Sequence, residues 1–162
     1  MNHKRISLLF SGQGAQTVGM GRELAGHFPS VAALFSQADA ILGYSLSRIM
    51  WEGPDSELTQ TRYCQPALFV HGIACLTALQ QVAGTFPVHA VAGLSLGEFT
   101  AHVAAGSMDF ETGLRLVAQR GACMQQACED TLGGMAAMIG GDEAAVVQLA
   151  HDTGVDLSLI HI

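Results

Sequence analysis

Apolar positions along the chain follow two periods. Ile6-Ser7-Leu8-Leu9-Phe10 is apolar almost throughout, the pattern of a buried strand in a parallel sheet, and Val88–Ala92 is a second apolar run, the strand expected to feed the turn at Gly93–Gly97. Between them Val31, Leu34, Phe35, Ala38, Ile41 and Leu42 recur at helical spacing, with Ser30 after Pro29 as the expected cap and Gly43 as the stop. Gly53-Pro54-Asp55 reads as a turn. Gln65-Pro66 is expected to open a second helix running to about Val82. That helix is apolar on most faces (Leu68, Phe69, Ile73, Cys75, Leu76, Leu79) and should be buried. A helix-like run covers Phe99 to Ala105, and Asp109 caps another helix from Phe110 to about Glu129. Leu114, Val117, Ala118, Met124 and Cys128 form its apolar stripe, and Arg115 and Arg120 fall outside it. Arg115 is expected to be a solvated charge. After Gly133-Gly134, Met135 to Ile139 reads as a strand. Gly140-Gly141-Asp142-Glu143 is a turn and cap, and Ala144 to Ala150 begins a last helix. Strand, loop, helices, strand, tight turn, helix is the order of an α/β fold, a parallel sheet with flanking helices.

The tight turn carries the candidate chemistry. Gly93-Leu94-Ser95-Leu96-Gly97 has the glycine–serine–glycine spacing of a serine nucleophile elbow, placed between a predicted strand and a predicted helix. The flanking positions must be small because strand and helix nearly collide there. The strained turn lifts the serine Oγ toward the helix N-terminus, where the Leu96 N–H is free to stabilise an oxyanion. Ser11-Gly12-Gln13-Gly14-Ala15-Gln16, after the first strand, is a second tight loop whose glycines allow close backbone approach. It lacks the third glycine of a dinucleotide loop and the Gly-Lys-Ser/Thr of a phosphate loop, so a nucleotide site is not expected.

Composition narrows the classes. The chain has 162 residues and is 49% hydrophobic, enough for one domain with one sizeable core. With seven Lys and Arg and a net charge of −7, it has no footprint for a nucleic acid backbone. Cys64, Cys75, Cys123 and Cys128 form no CxxC pair and are expected to be reduced, buried thiols with no metal. The basic start at Met1–Arg5 precedes too short an apolar run for a signal peptide, and no run is expected to span a membrane.

Five segments carry a family resemblance. Phe10-Ser11-Gly12-Gln13-Gly14-Ala15-Gln16 resembles F-P-G-Q-G-S-Q, and Gln65-Pro66-Ala67 resembles T-Q-P-A. Gly93–Glu98 resembles G-H-S-L-G-E, and Arg120-Gly121 with Met124-Gln125 resembles R-G-x-x-M-Q. Gly134–Gly140 resembles G-A-M-A-A-I-I-G. In this order they resemble the malonyl-CoA:acyl carrier protein transacylases, over the N-terminal half of that family's domain. The resemblance implies that Ser95 attacks the thioester of malonyl-CoA and holds the malonyl group as an ester. It implies Gln13 and Leu96 N–H groups as the oxyanion hole, Arg120 as the partner of the malonyl carboxylate, and Gln65 as a pocket-lining residue. The phosphopantetheine thiol of acyl carrier protein then takes the acyl group, in fatty acid biosynthesis and with no further cofactor. It implies residues 1–130 as the N-terminal part of an α/β hydrolase-like acyltransferase core and 131–156 as the start of a small ferredoxin-like lobe. A cytoplasmic protein, monomeric at full length, is expected.

The sequence also departs from the pattern. Leu94 stands where the turn often has histidine, Ser11 for proline and Ala15 for serine. The family's general-base histidine and its orienting residue are expected beyond residue 162. His102 lies about two helical turns from Ser95, too far to serve, and all seven histidines are expected to be structural or solvated. Leu157–Ile162 resembles a translated transposon-end adapter and is expected to be an artificial tail on a truncated reading frame. Three other readings share the motifs in part: a polyketide synthase acyltransferase, a serine esterase of α/β-hydrolase type, and an inactive fragment. Arg120 and the Gly12-Gln13-Gly14 loop argue against the esterase, which needs no carboxylate clamp.

Overall fold

The computed structural model describes residues 5–131, 133, 134, 136, 138, 140 and 142–157. The chain begins with β1 (Ile6–Phe10) and passes through α1 (Arg22–His27), α2 (Pro29–Leu42), α3 (Leu46–Glu52), α4 (Asp55–Leu58) and α5 (Thr61–Ala83). It continues with β2 (Val88–Gly93), α6 (Gly97–Ala104), α7 (Phe110–Thr131) and α8 (Glu143–Thr153). β1 and β2 pair in parallel, with Leu8 opposite Val91, Leu9 opposite Ala92 and Phe10 opposite Gly93. Both strands therefore end side by side, and the loops that follow them meet. The α/β reading of the pattern is correct.

The core is mostly helical. α5 packs against α2, α3, α6 and α7. Phe35, Leu46, Met50, Leu58, Phe69, Leu114 and Val117 are fully buried around it, and the Phe69 and Phe110 rings stack 5.6 Å apart. By length and composition α5, with 23 residues and mean hydropathy 1.3, could cross a membrane, contrary to the expectation that no run reaches that standard. Its Cys64–Val70 segment is instead buried among neighbouring helices, as a central core helix should be.

Local signals misplaced several features. α2 starts at Pro29, with Phe28 in the cap position and no side-chain cap, so Ser30 is not the cap. Proline suits the first helical position because its fixed φ is helical and its missing N–H needs no partner there. The Ser30 hydroxyl instead accepts from Gln81 Nε2 on α5 at 2.6 Å. α5 begins at Thr61, four residues before the expected Gln65-Pro66 start, and Pro66 lies inside it. Its first N–H, on Thr61, is capped by Gln125 Oε1 of α7 at 3.0 Å, a tertiary cap that no local pattern reveals. Asp109 and Asp142 do cap α7 and α8, accepting from Thr112 N–H at 2.7 Å and Ala145 N–H at 2.8 Å. Gly43 ends α2 in the left-handed region at φ 75°. α1, α3 and α4 have no counterpart in the sequence reading.

β1 is not buried as expected. Ile6, Leu8 and Phe10 are half-buried against the helices, while Ser7 and Leu9 face outward and Leu9 is 80% exposed. A parallel strand needs cover on both faces to bury a continuous apolar run, and the two-stranded sheet is covered on one. The four thiols are free, but only Cys64 is buried, and burial pushes it up to about 11. Cys75 and Cys123 are exposed and Cys128 is half-buried, because they sit on the outward sides of α5 and α7. Of the strand expected over Met135–Ile139, Met135, Ala137 and Ile139 lie outside the described residues, as do residues 158–162 of the tail expected over 157–162, while Ala136, Met138 and Leu157 are described and lie in no strand or helix.

Candidate active site

Between β2 and α6 the chain turns from strand to helix within three residues. Side chains do not fit there. A Cβ at Gly93 would lie 2.0 Å from the Gly97 carbonyl, and one at Gly97 would lie 2.4 Å from the Phe10 carbonyl oxygen and 2.8 Å from that of Ser11. Ser95, at the apex, has φ 56°, alone among the described non-glycine residues in the left-handed region. Such a conformation costs on the order of 1–3 kcal/mol and persists only where its surroundings enforce it. Here the Gly97 N–H bonds the Leu94 carbonyl at 2.9 Å, and the Glu98 N–H bonds the Ser95 carbonyl at 3.1 Å. Gly97→Ala is expected to lower stability by about 2–3 kcal/mol, because the added methyl meets backbone rather than a movable side chain. Urea unfolding of the two proteins checks this, and an unchanged midpoint refutes the close approach.

The Ser11–Gln16 loop lies against this turn. Leu94 N–H donates to the Phe10 carbonyl at 3.0 Å, and a Cβ at Gly12 would lie 2.9 Å from the Leu94 carbonyl oxygen. Gln16 Oε1 accepts from the Gly14 N–H at 2.8 Å and the Cys64 thiol at 3.2 Å, which folds the loop down onto α5. Gln13 follows Gly12, and its side chain donates to Thr61 Oγ1 at 3.3 Å. Among the described residues neither the Gln13 N–H nor the Leu96 N–H donates a hydrogen bond. The Leu96 side chain is buried and anchors the start of α6.

Arg120 reaches in from α7. Its Nη2 donates to Ser95 Oγ at 2.9 Å and its Nη1 to Gln65 Oε1 at 2.6 Å. Gln65, on α5, is 1% exposed. Gly121 permits this reach, since a Cβ there would lie 2.7 Å from the Thr61 carbonyl oxygen and would push α7 off α5. Ser95, Arg120 and Gln65 thus form one hydrogen-bonded chain, with Gln13 and Leu96 on the two loops beside it. Arg115, one and a half turns earlier, is exposed and pairs with Glu111 at 2.8 Å.

Among the described residues no histidine or carboxylate hydrogen-bonds Ser95 Oγ. A guanidinium only donates, so Arg120 cannot take the serine proton. His102 Nδ1 lies 3.0 Å from Ser107 Oγ and His27 Nδ1 lies 2.9 Å from the Glu23 carbonyl. His71 is half-buried on α5, and burial holds its pKa below the ordinary value. No group of three or more His, Cys, Asp or Glu among the described residues is placed to hold a metal ion. Two residues went unassigned by sequence reasoning, Met124 and Gln125, although both lie in the R-G-x-x-M-Q segment. Met124 stands one helical turn past Arg120, spacing that puts both on one face of α7.

The acyl transferase domain family matches residues 8–158. The chain belongs to that family. It is 40% identical over 149 residues to the malonyl CoA-acyl carrier protein transacylase of Salmonella typhimurium, covering 92% of this chain and 48% of that protein. Among solved structures it resembles the acyl-carrier-protein-S-malonyltransferase of Bartonella henselae, with TM-score 0.77 and 35% identity over 90% of this chain and 48% of that one. It also resembles a malonyl-transacylase solved in complex with its type II PKS acyl-carrier protein, with TM-score 0.71 and 40% identity, covering 76% of this chain and 40% of that one. This acyl transferase domain spans about half the length of the curated relatives it matches.

Proposed function

We propose that this chain carries the nucleophile, oxyanion donors and carboxylate clamp of a malonyl-CoA:acyl carrier protein transacylase. The observation that carries the reading is Ser95 in a left-handed turn with the Arg120 guanidinium 2.9 Å from its Oγ. A malonyl ester places its carboxylate one methylene beyond the ester carbonyl. A cation within hydrogen-bond reach of the serine therefore suits this acyl group and is idle for a hydrolase acting on neutral esters. Arg120 is a planar fork, matched to a carboxylate in a way that lysine is not.

In the reaction Ser95 Oγ attacks the thioester carbonyl carbon while its proton passes to a base. The Gln13 and Leu96 N–H groups receive the oxyanion. Collapse breaks the C–S bond, the CoA thiol leaves with the proton, and the malonyl group remains on Ser95. The phosphopantetheine thiol of acyl carrier protein then attacks the ester, forms the new thioester and restores the serine, a ping-pong exchange. Gln65 lines the pocket and holds Arg120. The turn at Ser95 acts as a nucleophile elbow, residues 1–130 form the N-terminal part of the acyltransferase core, and 131–156 begin a small ferredoxin-like lobe. No cofactor beyond the carrier's phosphopantetheine is required.

The test is to incubate the product of the full reading frame that encodes this chain with labelled malonyl-CoA and map the label by mass spectrometry. Label on Ser95 that moves to added acyl carrier protein is expected. Label elsewhere, or none, overturns the reading, and release as free malonate without transfer points to a hydrolase. The likeness to a transacylase bound to a type II PKS carrier favours a second reading, the same chemistry serving polyketide synthesis. Faster transfer to a polyketide carrier than to a fatty acid carrier selects it.

A further inference from the structure

We infer that Met124 is a positioning residue whose thioether sets the orientation of the Gln65 amide and, through it, the aim of the Arg120 guanidinium. The inference rests on the reading of Arg120 as the acyl carboxylate clamp. Gln65 is buried, and a buried amide must find both an acceptor for its N–H groups and a donor for its oxygen. Its two neighbours fit one orientation only. Arg120 can only donate, and it faces Gln65 Oε1 at 2.6 Å. The Met124 sulfur can only accept, and it lies 3.1 Å from Gln65 Nε2. A reversed amide would set N–H against N–H at Arg120 and oxygen against sulfur at Met124.

Arg120 and Met124 are four residues apart on α7, so both reach the same side chain of α5. The three residues close a ring across the two helices. Its geometric result is that Nη1 is occupied by Gln65 while Nη2 is left pointing at Ser95 Oγ. Without an acceptor at position 124 the buried Nε2 has no partner. The amide is then free to turn, and a turned amide repels the guanidinium rather than holding it. The rest of the segment works to the same end. Gly121 lets α7 close on the start of α5, and Gln125 caps the Thr61 N–H, so the register that brings Met124 to Gln65 is fixed at both points.

The experiment compares Met124→Leu and Met124→Gln in the full reading frame, reading the ratio of Ser95 loading from malonyl-CoA to loading from acetyl-CoA. Leucine keeps the volume and apolar character but removes the acceptor. Glutamine is polar but restores one through its own Oε1. Met124→Leu is expected to lower the ratio about tenfold, mainly through a raised KM for malonyl-CoA, the size of effect that an orphaned buried donor produces. Met124→Gln is expected to retain most of it. A merely packing role predicts the reverse order, with leucine the better replacement. Val117→Ala, which opens the core of the same helix away from Gln65, controls for stability and should lower the melting temperature without moving the ratio. The inference is overturned if Met124→Leu keeps the wild-type ratio, or if glutamine does worse than leucine. If Met124→Leu does not fold, Met124→Gln still decides, since loss of the ratio there with a normal melting temperature refutes the role. Arg120→Ala separates the two ideas. A lost preference there with an intact one in Met124→Leu sinks only this inference, whereas an intact preference in Arg120→Ala sinks the clamp and this inference with it.

Discussion

Turnover by the 162 residues on their own is expected to stay at or below the residual enhancement of a triad enzyme lacking a member, on the order of 10³–10⁴ over the reaction in water. Ser95 is held in a left-handed turn, and its one hydrogen-bond partner among the described residues is a guanidinium. A cation beside the hydroxyl favours the alkoxide electrostatically yet offers the proton nowhere to go. Four histidines face other partners: His102 lies against Ser107, His27 against the Glu23 carbonyl, His71 against the Cys75 sulfur and His151 against Asp152. Slow acylation of the chain by malonyl-CoA should therefore be seen, rising with pH across the neutral range by about tenfold per unit, because hydroxide must take the serine proton that no side chain accepts. Ser95→Ala should remove even that. The measurement is transfer of labelled malonyl to acyl carrier protein by the 162-residue chain with and without the substitution. Rapid Ser95-dependent turnover would falsify this, and would mean that these residues contain a base.

Arg120→Ala, in the full reading frame, is expected to reduce the preference for malonyl over acetyl groups by about 2–4 kcal/mol, or roughly 30- to 1000-fold. The guanidinium is half-buried and tied to Gln65, so its position is set before any acyl group arrives. A fixed cation loses little side-chain entropy when it binds a carboxylate, which is the condition under which a charge-assisted pair adds selectivity. The acetyl group has no carboxylate and should feel mainly the loss of the Nη2 contact at Ser95. Arg120→Lys should fall between the two, since an ammonium keeps the charge and loses the fork. Competition between the two CoA esters for Ser95, followed by mass spectrometry, gives the ratio directly. An unchanged ratio in Arg120→Ala rules out the clamp.

How much of this was legible beforehand differs from element to element. The glycine–serine–glycine turn could be read because its cause is local. Gly93 and Gly97 are required by atoms within the turn and in the loop just after β1, so the spacing carries the structure. Gly43 at the end of α2 and the Asp109 and Asp142 caps are legible for the same reason, each satisfying or sparing backbone groups within a few residues. The α/β order followed from the two apolar runs and the helical periods between them. The parts expected of Ser95 and the Leu96 N–H were read from the turn's spacing, whereas those of Gln13, Gln65 and Arg120 came from the family resemblance, which spacing alone did not supply.

Tertiary structure decided what depends on partners far along the chain. The start of α5 lies at Thr61 because Gln125, 64 residues later, caps it. The burial of β1 could not be read from its apolar run, since burial requires cover on both faces and only the helical side supplies it. Cys75, Cys123 and Cys128 look like core thiols by composition and are not, because the faces of α5 and α7 they occupy turn outward. Arg120 and Arg115 sit on the same helix with similar sequence surroundings. One reaches Ser95 and the other pairs with Glu111 in solvent, a difference set by Gly121 and the close approach of α5. Sequence determined the turn at Gly93–Gly97, the stop at Gly43 and the two paired strands, because those demands are met within a few residues, whereas the short helices α1, α3 and α4 were not legible in it. Which side chains meet was decided by helix register across the core, since contacts such as Met124 to Gln65 join positions 59 residues apart.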